Sequence, residues 1–164
     1  MQTRLNYAQV DSASVDAILG LEKYVVKGGI ERSLLDLIKL RASQINHCAF
    51  CIDMHFKDAR ASGETEQRLY SLDAWRETPF YSDREQAALA WTEAVTLLTE
   101  DFVPDDVYEQ AKQQFTDAEL VSLTMAIIAI NGWNRLNVSF RTVPGGYQSL
   151  RKPDPSLNRV LENG

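Results

Sequence analysis

The apolar residues of this chain recur every three or four positions, and nowhere do they alternate over a run long enough for a strand. That spacing restricts the fold to helices, because a 3.6-residue period turns one face of a helix toward a core. Val15, Ile18, Leu21 and Val25 form such a stripe over Ser12–Val26. Asp11 or Ser12 can cap it, and Gly28-Gly29 ends it. A second helix is predicted over Glu31–Ile45, with Leu34, Leu35, Ile38 and Ile45 inward, and a third over His47–Ala61, closed by Gly63. Thr65 can start a short helix through Leu72. "SDRE", Ser82–Glu85, and "TDAE", Thr116–Glu119, are both capping boxes, in which a side-chain oxygen and a glutamate satisfy the first free amides of a helix. The second box opens the longest helix, which runs to about Arg141 before Pro144-Gly145-Gly146 stops it. Pro104 fits the first turn of the helix that precedes it. The expectation is one all-α domain over residues 1–150. A polar tail over 151–164 follows, either lying on a neighbour as an arm or disordered.

A chain of 164 residues can bury one proper core. Its net charge of −6 supplies no basic face for phosphates, which argues against nucleic acid as a partner, and against an anionic membrane surface with it. The longest apolar stretch, "LVSLTMAIIAI" from Leu120 to Ile130, is broken by Ser122 and Thr124 and falls short of the roughly 20 residues of a membrane span. The first residues, "MQTRLNYAQVDSAS", lack the apolar region of a signal peptide, so a cytoplasmic protein is expected. Two cysteines in such a compartment point to catalysis or metal binding rather than to a disulfide scaffold.

Those two cysteines and both histidines lie within nine residues, "HCAFCIDMH", 47–55. On a helix Cys48 and Cys51 are i and i+3, and Cys51 and His55 are i and i+4, so all three share a face. Asn46 is a candidate cap, which puts the thiols in the first turns, where the amide dipoles favour anions and lower a thiol pKa from about 8.5. His55, one turn on, can take or return a proton. The i,i+3 separation also suits disulfide closure. Two chemistries fit: a redox-active dithiol, or a metal site in which Cys48, Cys51 and His55 hold zinc and a carboxylate such as Asp36 completes the set.

The stretch "LLDLIKLRASQINHCAFCIDMH", Leu34–His55, resembles the core motif of the carboxymuconolactone decarboxylase-like superfamily, in its alkylhydroperoxidase D-like (AhpD-like) branch. "FTDAELVSLTMAIIAINGWNRLNVSFR", Phe115–Arg141, resembles the second long helix of that branch. The resemblance implies an all-α bundle of antiparallel helix pairs that assembles as a homotrimer or homohexamer. It implies a peroxidase acting on hydrogen peroxide or organic hydroperoxides without a cofactor or metal. Cys51 would be the peroxidatic cysteine, Cys48 its disulfide partner, and His55 and Asp36 the proton relay. A lipoyl or thioredoxin-like protein would serve as thiol reductant. The branch usually carries Glu where Asp36 stands, and a histidine where Phe50 stands. The decarboxylases that name the superfamily lack the cysteine pair.

"NGWNRLN", Asn131–Asn137, sets amides, an indole and a guanidinium inside an apolar helix. It reads either as helix packing, with Gly132 allowing close approach and Arg135 pairing with a carboxylate, or as a pocket wall or subunit contact. Arg41 either raises the potential near the thiols or pairs with an acid elsewhere.

Overall fold

The computed structural model describes residues 2–154, and no strand occurs among them. The chain runs through α1 (Tyr7–Val10), α2 (Ser12–Lys27), α3 (Arg32–Ile45), α4 (Ala49–Ser62) and α5 (Glu66–Tyr70). A 3₁₀ helix (Leu72–Glu77) follows, then α6 (Asp83–Thr96), α7 (Leu98–Asp101), α8 (Asp105–Gln114) and α9 (Asp117–Phe140). Both capping boxes form at the starts of α6 and α9. Asp11 caps α2, its carboxylate accepting from the amides of Ala13 and Ser14.

Three boundaries differ from expectation. Asn46 does not cap α4. It closes α3, its amide donating to the Ala42 carbonyl, and Cys48 occupies the cap of α4 instead. Pro104 stands at the cap of α8, just before its first turn. α5 stops at Tyr70, and Leu72, its expected last residue, opens the 3₁₀ helix instead. α9 ends where expected, with Arg141 beyond Phe140 in a left-handed conformation (φ 54°) that turns the chain before Pro144. α1 and α7 were not anticipated, because four residues carry no readable period.

α3 organises the core. Every residue of "LLDLIKL", Leu34–Leu40, is buried. Leu34, Leu35 and Ile38 pack with Val25, Trp91, Leu123 and Ile127 on one side. Leu37 and Leu40 pack with Leu69, Leu72, Trp75 and Leu89 on the other. Each fully buried leucine contributes about 1.5–3 kcal/mol, so a helix gripped from both sides is a firm mount for what it carries. It carries two charges, Asp36 and Lys39, three residues apart and therefore on one face.

Gly28, just beyond α2, packs tightly against α9, because a Cβ there would lie 2.8 Å from Ser122 Cβ. Gly132 is different: a Cβ there would meet only Ile18 Cδ1, at 3.7 Å. Arg135 donates to the carbonyl and side chain of Asn131 rather than to a carboxylate. Arg41 pairs with Glu93 at 2.8 Å and with Asp73, the second of its two expected roles.

After α9 the chain runs back along α4 without regular structure. Gly145 N–H donates to Asp53, and Lys57 Nζ donates to the carbonyls of Gly145 and Tyr147. Tyr147 Oη and Ser149 Oγ both donate to Asp58, and Asp154 N–H donates to the Ser62 carbonyl. Residues 151–154 of the expected tail therefore lie on the chain's own α4, while 155–164 are outside the described residues. Among the described residues no single helix is long and apolar enough to cross a membrane.

Candidate active site

The turn from α3 to α4 sets the two thiol positions apart. His47 takes a left-handed conformation (φ 52°) and points into solvent, away from the cluster. Cys48 is extended and caps α4, its Sγ accepting the N–H of Cys51 at 3.4 Å. Cys48 and Cys51 form a disulfide with Cα atoms 5.3 Å apart, and each is only 1% exposed. Cys51 Sγ also accepts from Asn137 Nδ2 of α9, at 3.6 Å. That amide is held in place from both ends. Its nitrogen donates to the Trp133 carbonyl at 2.9 Å, and its oxygen accepts from Tyr7 Oη at 3.1 Å.

His55 follows Cys51 by one helical turn and is 5% exposed. Neither ring nitrogen has a hydrogen-bond partner among the described residues. Burial, with help from the positive charges of Lys39 and Arg151, pushes its pKa down from 6.5 to about 3. The imidazole is therefore neutral at ordinary pH.

Cys51 and His55 face a cavity of about 300 Å³. Phe50 and Met54 of α4, Leu19 of α2, Trp133 of α9 and Tyr7 of α1 give it apolar and aromatic walls. Its charged lining is Glu22, Lys39, Asp58 and Arg151. Cys48 does not line it. Lys39 Nζ lies 2.5 Å from Glu22 Oε2. Arg151 Nη1 donates to both oxygens of Asp36, each at 2.6 Å, and its Nε lies 3.2 Å from Asp58 Oδ2. Burial raises the Asp36 pKa, and Arg151 opposes that rise.

Cys48, Cys51 and His55 are thus brought together as expected, while Asp36 is engaged by Arg151 and no bond joins it to His55 among the described residues. Nor does Asp36 join the sulfurs as a fourth ligand, and no group of three or more His, Cys, Asp or Glu among the described residues could hold a metal ion. The sequence reading missed Tyr7, Glu22, Lys39, Asp58 and Arg151. Lys39 did leave a signal: with Asp36 it is one of two charges inside a run that is otherwise apolar. In "NGWNRLN" the packing reading holds for the amides though not for Gly132 or Arg135, and the pocket-wall reading holds beside it. Asn131 and Asn134 bond across to Asn46 and Ser43, while Trp133 and Asn137 form the pocket wall.

A model of the carboxymuconolactone decarboxylase family matches residues 13–94, half of the chain, and takes in the Cys48–Cys51 pair. The chain belongs to that family. The uncharacterised YdfG of Bacillus subtilis is 42% identical over 139 residues, 85% of this chain and 95% of that one. The uncharacterised YnjA of Escherichia coli is 31% identical over 118 residues, 68% of this chain and 62% of that one. A solved structure from Agrobacterium tumefaciens, of a protein of unknown function proposed as an antioxidant defence protein AhpD, superposes with TM-score 0.86. It is 45% identical and covers 89% of this chain and all of the other. The debrominase Bmp8 shares the fold at TM-score 0.72 and 18% identity, over 79% of this chain and 70% of that one. Within the carboxymuconolactone decarboxylase family, the all-helical fold and the Cys-x-x-Cys pair set this chain among the AhpD-like members.

Proposed function

We propose that the protein is a thiol-dependent peroxidase that reduces hydrogen peroxide or an organic hydroperoxide with the Cys48–Cys51 pair. One observation carries this reading: of two sulfurs close enough to bond, Cys51 alone faces a cavity, which it shares with a buried histidine whose ring nitrogens have no hydrogen-bond partner among the described residues. The reduced enzyme presents Cys51 as a thiol next to the neutral imidazole of His55. His55 takes the proton as the thiolate forms, because the charge left on sulfur offsets the cost of a buried imidazolium. Asn137 Nδ2 donates to the same sulfur and favours the anion, as does the positive charge of Arg151 in the cavity lining.

The thiolate attacks one peroxide oxygen. An S–O bond forms, the O–O bond breaks, and the alkoxide leaves as alcohol with the proton returned by His55. Cys51 is then a sulfenic acid. Cys48 attacks that sulfur, the disulfide forms and water leaves. A dithiol donor, a lipoyl or thioredoxin-like protein, supplies the two electrons and two protons that restore the pair. Asp36 acts at a distance through the Arg151 clamp rather than by direct contact with His55. The apolar walls suit an organic hydroperoxide, and assembly as a homotrimer or homohexamer is part of the same proposal.

The test is trapping with a dimedone-type probe after a stoichiometric peroxide pulse. Cys48→Ser should accumulate one adduct, on Cys51, and Cys51→Ser none. An adduct on Cys48 in the Cys51→Ser variant, with none on Cys51 in Cys48→Ser, would reverse the roles. No adduct in either would remove the peroxidase reading.

A further inference from the structure

Arg151 stands 115 positions from Asp36 in the chain, yet it meets both oxygens of that carboxylate and reaches Asp58 as well. Asp36 is 3% exposed and Asp58 5%. Two buried carboxylates repel each other, and the charge of Asp58 adds to the pressure on Asp36. A guanidinium fork is suited to holding two such groups at once. The segment carrying it is fixed to α4 at Gly145, Tyr147, Ser149 and Asp154, so the fork is delivered to a set place. α4 is also the helix that begins at the disulfide.

The charges around the cavity come from every neighbouring element. α2 brings Glu22, α3 brings Asp36 and Lys39, α4 brings His55 and Asp58, and the C-terminal segment brings Arg151 and the Tyr147 phenol. α1 brings the Tyr7 phenol, and α9 only the uncharged Trp133 and Asn137. Farther along α4, Asp53 and Lys57 pair with each other. Lys39 and Glu22 cancel as a pair. That leaves Arg151 as the cation facing two acids.

We propose that Arg151 is a positioning residue of the thiol site: by clamping Asp36 to Asp58 it closes one wall of the cavity and supplies the positive charge that lets Cys51 ionise. The proposal rests on the reading of Cys51 as the reacting thiol, but not on peroxide being its substrate. Without Arg151 the acids stand beside the cavity opposed only by Lys39, which Glu22 already holds. A thiolate facing that excess of negative charge is disfavoured, and its ionisation midpoint rises by about one pH unit.

The experiment measures the rate of iodoacetamide alkylation of Cys51 against pH, in full-length reduced protein carrying Cys48→Ser. Arg151→Gln should move the midpoint up by about one unit, roughly a tenfold slower reaction well below it. Arg151→Lys, which keeps the charge and loses the fork, should recover at least half of that shift. Asp58→Asn keeps the one oxygen that Tyr147 and Ser149 share as acceptor while removing one negative charge, and should move the midpoint down. A midpoint that Arg151→Gln leaves unchanged, or a shift that Arg151→Lys does not reduce, overturns the proposal. If Arg151→Gln does not fold, Asp58→Asn decides: a fall supports the clamp, and no change or a rise overturns it. Because no peroxide is used, these midpoints can hold when sulfenate trapping fails, and the two readings are judged separately.

Discussion

His55 makes the acid stability of this protein a direct readout of its site. The unfolded chain binds a proton at this residue below about pH 6.5. The folded chain binds one only near pH 3, because the ring is buried among cations. Between those values the unfolded state holds more protons, so the contribution is complete above pH 6.5 and is lost as pH falls toward 3. At pH 5.0 the loss is about 2 kcal/mol, against almost none at pH 7.5. His55→Leu removes the titrating ring and leaves no unpartnered nitrogen behind, so at pH 7.5 it should be at least as stable as the parent. Urea unfolding of both proteins at pH 7.5 and 5.0, at one protein concentration, gives the double difference. Asp36 also titrates in acid, but it is present in both proteins and largely cancels. Parallel pH slopes in the two proteins would refute the reasoning, as would an NMR signal from His55 that titrates near 6.5 in the folded disulfide form.

Reducing the disulfide should lower Tm only slightly. It closes a loop between residues three apart, which the chain-entropy model values at about 2 kcal/mol, or about 5 °C for a chain of this size, read by calorimetry with and without dithiothreitol. Gly132→Ala should stabilise by about 1 kcal/mol and raise Tm by about 3 °C, since the added methyl meets Ile18 at an ordinary distance inside a helix. Gly28→Ala should lower Tm, because its methyl would collide with Ser122.

The fold was legible because its signals are local. A capping box spans four residues and a stripe three or four turns, so α2, α3, α6 and α9 could be read almost to their ends. α4 was misplaced at its start because Asn46 is as good a stop as a cap. Its amide and side chain both return to Ala42, which frees Cys48 for the cap. The cluster of Cys48, Cys51 and His55 was legible for the same reason: one helix carries it. The groups around it were not. Lys39 is explained by Glu22 on another helix, Asp36 by Arg151 in a stretch with prolines and no period, and Asn137 by Tyr7 at the far end of the chain. No window of sequence contains both members of any of these pairs. Arg151 was passed over because a polar segment after the last helix looks the same whether it is loose or ion-paired to a buried acid.

The unequal access of the two sulfurs to the cavity also bears on whatever recharges the protein. Both are 1% exposed at the surface, and the cavity offers Cys51 alone. On the proposed reading an incoming thiolate strikes Cys51, so the mixed disulfide forms there and Cys48 is the sulfur expelled. Cys48 leaves from the cap of α4, where the amide of Cys51 stands ready to steady its negative charge. With neither sulfur open to the outer surface, the proposed reading calls for a donor that reaches into the cavity, as a thin arm ending in a dithiol would. On the proposed reading, the cavity rather than the outer surface is the route by which an electron donor reaches the pair.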